Sequence, residues 1–153
     1  MISRRMAASL AAVAFALLAA FPAAAQLKSP DKAKVALRLL VQVSNDFKRQ
    51  INAKNFGRLP HEYMEYTEAA DALRAATQDE PTAFKTKMET RLKAAVTAYQ
   101  NVSDMSAKAP DADRLMTELG KAVTAMNGLF DLFPADLRPD PNTPPGRGGA
   151  PRN

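Results

Sequence analysis

Between Pro110 and Pro134 the chain carries no proline, and Leu115, Leu119, Val123, Met126, Phe130 and Phe133 recur three or four positions apart. That spacing returns to one side of a 3.6-residue turn, so the stretch is a helix with a single apolar stripe. Lys121, Thr124, Asn127 and Asp131 fall between these positions and form the wet side. A stripe on one helix has nothing to bury against, which predicts partner helices of similar length.

The prolines mark where those partners begin and end. Pro30, Pro60, Pro81, Pro110 and Pro134 all lie outside the apolar runs. Proline suits the first turn of a helix and breaks its interior, so these residues divide the chain into four helical segments. The first runs from Pro30 to about Lys54, with Ser29 as its cap. Its stripe is Ala36, Leu40, Val43, Phe47 and Ile51, widened by Leu37, Leu39 and Val41. It stops near Asn55-Phe56-Gly57, where glycine or asparagine takes the left-handed conformation.

The second segment, from Leu59 to about Thr77, carries Leu59, Tyr63, Tyr66, Ala70 and Leu73. Its carboxylates, Glu62, Glu65, Glu68 and Asp71, suit the positive end of the helix dipole and are expected away from the stripe. The third follows Pro81, with Phe84, Met88, Leu92, Ala95, Tyr99, Val102 and Met105 near a heptad seam. No alternating run suggests a strand. Short connections make consecutive helices antiparallel, so the expected fold is all-α, an up-down-up-down four-helix bundle. Two helical hairpins completed by homodimerisation are the alternative.

The bundle is assigned residues 26–134, with a segment to subtract at each end. Arg4 and Arg5 precede an apolar run from Ala7 to Phe21, and Ala23-Ala24-Ala25 offers small residues to a signal peptidase. Residues 1–25 therefore read as a cleaved secretory signal, and the mature protein as periplasmic or secreted. A membrane span needs about 20 apolar residues, more than this run supplies. Ser3-Arg4-Arg5 begins a twin-arginine pattern that Met6-Ala7-Ala8 does not continue. Residues 135–153 hold five prolines and three glycines and read as a disordered tail.

Losing Arg4 and Arg5 lowers the net charge of +5 to near +3. Basic and acidic residues interleave, and the three tail arginines are too few to indicate nucleic acid. The chain has no cysteine, which excludes disulfides, thiolate metal sites and thioether-linked haem.

His61 is the only histidine, so paired-histidine metal sites cannot form. In an antiparallel bundle, the start of helix two, the end of helix three and the start of helix four share one end. His61, Met64, Met105 and Met116 are thus the candidate ligands, a set suited to Cu(I) or non-covalent haem b. Methionine also fills gaps in helical cores without binding anything, and His61 reads equally as an exposed first-turn residue. No nucleophile, base and orienting group can be grouped, so no catalytic residue is assigned and no enzyme is expected.

The run Leu119-Gly120-Lys121-Ala122-Val123-Thr124-Ala125-Met126-Asn127-Gly128-Leu129-Phe130 resembles the haem-attachment helix of the cytochrome c-prime family. Upstream, Phe84, Leu92, Ala94-Ala95, Tyr99 and the acidic turn Asp111 to Asp113 are similar too. The resemblance implies an exported four-helix bundle whose last helix would carry Cys-x-x-Cys-His. Here Val123 and Met126 stand at the cysteine positions and Asn127 at the histidine. The expectation is a haemless relative, a non-enzymatic binding or interaction protein for an unknown protein or small ligand, without a membrane span once the signal is removed. The alternatives are a cytochrome with non-covalent haem, for electron transfer or gas binding, and a periplasmic Cu(I) protein.

Overall fold

The computed structural model describes residues 27–108 and 110–139. The expected signal, residues 1–25, and residues 140–153 of the expected tail lie outside them. Four α-helices make up the fold: α1 (Pro30–Asn52), α2 (Leu59–Ala76), α3 (Thr82–Lys108) and α4 (Ala112–Phe130). Each packs on the next in chain order, and α1 closes the ring against α4. This is the four-helix bundle expected from the proline spacing.

The helix ends have local causes. Proline occupies the first turn of α1 and of α2, where its missing N–H would be unpaired anyway. Asp111 caps α4 by accepting the backbone N–H of Arg114 at 2.8 Å. Ser29 stands at the cap position of α1 but makes no side-chain hydrogen bond there. At the end of α1 the left-handed residue is Lys54, at φ 55, rather than Asn55 or Gly57. The N–H groups of Ala53, Lys54 and Asn55 turn back to the carbonyls of Arg49, Ile51 and Gln50. These bonds satisfy carbonyls that the helix end would otherwise leave orphaned, and they offset the strain of a side chain in that region.

The stripes meet inside the bundle. Leu37, Leu40, Phe47 and Ile51 of α1, Leu59, Tyr66 and Leu73 of α2, Leu92 and Tyr99 of α3, and Leu115 and Leu129 of α4 are all fully buried. Tyr66 stacks on Tyr99 with ring centroids 3.9 Å apart, and Phe47 meets Tyr99 edge-on at 5.2 Å. Phe84 and Phe133 form a perpendicular pair at 5.6 Å where α3 begins and α4 ends. At that same end the Lys28 N–H donates to the Glu80 carboxylate at 2.6 Å, tying the entry of the chain to the connection between α2 and α3.

Leu39, expected in the core, is 38% exposed, and Val35 one turn earlier is 56% exposed. Both lie on the outer ridge of α1. The ordered fold also extends past Pro134. Ala135–Leu137 makes a 3-10 turn, Leu137 is buried, and Arg138 donates to the carbonyls of Phe133 and Asp131. One leucine beside α1 is enough to anchor this part of the expected tail. No helix among the described residues is long and apolar enough to cross a membrane.

Candidate functional site

The seam between α1 and α2 holds a cluster of three carboxylates. Asp46 of α1 and Glu62 and Glu65 of α2 bring carboxylate oxygens within 4.8 Å of one another. Glu62 lies inside the protein, its side chain only 4% exposed, and was expected on the wet side. Its Oε1 accepts from Gln50 at 3.1 Å, and Gln50 Oε1 in turn accepts from Asn55. Arg58 stands 3.9 Å away, Arg49 pairs with Asp46 at 2.8 Å, and His61 Nε2 meets Glu65 at 3.1 Å.

Burial raises the Glu62 carboxyl above its ordinary range, and Glu65 and Asp46 push it further the same way, while the Gln50 hydrogen bond and Arg58 pull it down. Asp46 is raised chiefly by burial, with Arg49 opposing and Glu65 adding. Three oxygen donors of this kind are the ligand class for hard divalent cations. Here each already faces a guanidinium, an amide or an imidazole.

The same seam opens outward, toward the other end of the two helices, into a groove of about 530 Å³. Lys32, Val35 and Ala36 line it from α1, and Ala72, Ala75 and Ala76 from α2. Val35, Leu39, Gln42 and Asp46 recur at three- and four-residue steps and so form one ridge of α1. Glu65, Glu68, Ala72 and Ala75 form the facing ridge of α2 by the same spacing. Apolar groove and carboxylate cluster are therefore two halves of one face.

The four candidate ligands differ in exposure. His61 is half exposed and engaged with Glu65, and Met64 is 60% exposed. Met105 and Met116 are half-buried and pack against the core. The buried carboxylate was missed although a signal for it exists: Glu62 is three residues after Leu59 and four before Tyr66, in register with the buried stripe.

The residues do not fit a porphyrin of the kind the haem-attachment helix would hold. Asn127, at the histidine position, faces solvent. Met126 is buried, but its sulfur packs 3.7 Å from the Tyr99 hydroxyl. The middle of the bundle is filled by Tyr99 with Phe47 and Tyr66 packed against it. No protein-family model matches the chain, and neither does any curated protein or solved structure.

Proposed function

We propose that the protein is an exported, non-enzymatic helical bundle, a haemless relative of cytochrome c-prime, that acts by binding an unidentified protein or small ligand. The observation that carries this is the aromatic cluster of Phe47, Tyr66 and Tyr99, fully buried in the interior where a porphyrin would need room. An interior closed by fully buried rings leaves the outer surface as the place for contact. The His61 imidazole lies at the surface beside Glu65, and the buried Ser44 hydroxyl is held against Tyr99, with no hydrogen bond joining the two among the described residues to make a base and nucleophile pair. Export rests on the N-terminal residues, whose basic start, apolar run and Ala-x-Ala ending make a secretory signal.

The test is optical and thermal. Protein purified from haem-replete cells and titrated with haem is expected to develop no Soret band, and Cu(I) to leave its melting temperature unchanged. A ligand that prefers the native state must raise its stability. A Soret band abolished by His61→Ala would replace this function with that of a non-covalent cytochrome. A Cu(I)-dependent rise in melting temperature, lost on replacing Met64 or Met105, would replace it with copper binding.

A further inference from the structure

The groove between α1 and α2 lies at the end of the bundle where the C-terminal segment leaves the fold. Asp31 and Lys32 in the first turn of α1 line it, as do Ala76 and Gln78 at the end of α2. The start of α3 and the end of α4 share that end, held by the Lys28 to Glu80 hydrogen bond and the Phe84 and Phe133 pair. Leu137 is buried in a turn that packs on α1, and Arg138 is fastened to Phe133 and Asp131. Residues 140–153 therefore start out from the groove's own end of the molecule.

The lining selects the chemistry of an occupant. Val35, Ala72, Ala75 and Ala76 give it an apolar wall and floor, and the helix backbone behind them is already hydrogen-bonded to itself. A backbone N–H laid on that floor would lose its water and find no acceptor. Consecutive prolines bring no N–H, and their ring-fixed backbone has little freedom to lose on docking. The Lys32 ammonium and the Gln78 amide on the lining are donors suited to proline carbonyls. The C-terminal segment carries Pro144-Pro145 and, two positions on, Arg147.

We propose that Pro144-Pro145 of the chain's own C-terminal segment docks in the α1–α2 groove, with Arg147 paired to Glu68 on the ridge of α2 beyond it. The lengths agree. Passing α1, about 10 Å across, takes the five steps from Pro139 to Pro144 at about 3.1 Å each. Arg147 then falls about 6 Å past Pro145, and Glu68 stands four residues, about 6 Å, past Ala72. Charge chooses the ridge. α1 holds Lys32, Lys34, Arg38, Lys48 and Arg49 against Asp31 and Asp46, a net of +3, whereas α2 holds Glu62, Glu65, Glu68 and Asp71 against Arg74, a net of −3 with His61 neutral. Glu68 is exposed and has no ion-pair partner among the described residues. A tethered segment meets its site at an effective concentration of order millimolar, so a groove too shallow to retain a free peptide is still filled by its own chain. The contact covers part of the outer surface that the proposed function uses for binding; it rests on that reading of the surface and can fail while the haem and copper titrations stand.

The chain has no cysteine, so Ala150→Cys gives a nitroxide label a single attachment point in the full chain. Nuclear magnetic resonance is expected to show the amide signals of Val35, Ala72 and Ala75 broadened more than those of Thr82 and Leu132, which lie at the same end of the bundle on its α3 and α4 side. The broadening is expected to be independent of protein concentration, as a contact within one chain requires. Arg147→Glu should cut the excess by about half or more, and adding Glu68→Arg should restore it by exchanging the charges. Ala75→Lys, which fills the groove from an exposed position, should abolish the excess while circular dichroism shows native helix content. Even broadening around that end, indifference to either single substitution, or no recovery in the double variant overturns the proposal. Broadening passed to unlabelled chains in a mixture overturns it too, because the occupant would then come from another copy.

Discussion

Two tyrosines in van der Waals contact should respond to the same substitution with opposite sign. Tyr66 and Tyr99 are both fully buried and stack at 3.9 Å with their planes 27° apart. The Tyr99 hydroxyl donates to Ser44 Oγ at 2.6 Å, whereas the Tyr66 hydroxyl has no hydrogen-bond partner. Burial pushes both hydroxyls far above the ordinary tyrosine range, so neither ionises at neutral pH. A buried polar group without a partner costs about 1 to 3 kcal/mol. Tyr66→Phe keeps the ring and its stacking, removes that cost and leaves a void smaller than one methylene, so it is expected to stabilise the fold by about 1 to 2 kcal/mol. Tyr99→Phe removes a made bond and strands the Ser44 hydroxyl, so it is expected to destabilise by about 1 to 2 kcal/mol. Urea unfolding followed by far-ultraviolet circular dichroism reads both, as midpoint shifts in opposite directions at unchanged slope. A less stable Tyr66→Phe, or midpoints that move the same way, would refute the assignment of the unpaired hydroxyl.

Glu62→Gln is expected to raise stability at neutral pH, because the folded state holds the carboxyl above its unfolded range and so favours the protonated form. In the parent protein, stability from this group is lost as pH rises through the folded pKa and is full below the ordinary glutamate range of about 4.3, so the advantage of the variant should vanish on acidification; melting temperatures across pH check this. Asp111→Ala removes the one side-chain cap of α4 and should cost about 1 kcal/mol, measured by urea unfolding, while Asp111→Asn should cost less. Leu137→Ala empties a buried position against α1 and should cost about 2 kcal/mol, so a chain ending at Pro134 should melt below the parent by several degrees.

What could be read in advance divides along the range of the forces involved. Helix ends were legible because proline acts on its own turn: Pro30, Pro60, Pro81 and Pro110 each stand within about two residues of an observed helix start. Fully buried Leu92, Tyr99, Leu115 and Leu119 were legible because a repeat of three and four leaves them one direction to face. Position 39 was not, since the width of a buried face depends on where the neighbouring helix lies, and α2 leaves the ridge of Val35 and Leu39 open. Glu62 was missed for the related reason that its partner, Gln50, belongs to another helix, so no window along α2 reveals the hydrogen bond that offsets its burial. Leu137 was outweighed by the prolines and glycines after it, although one apolar side chain within reach of α1 suffices to hold a turn. The charge asymmetry is intermediate: the +3 of α1 and the −3 of α2 can be counted in the sequence, but the count does not reveal that one of the α2 carboxylates, Glu62, is buried and leaves the surface.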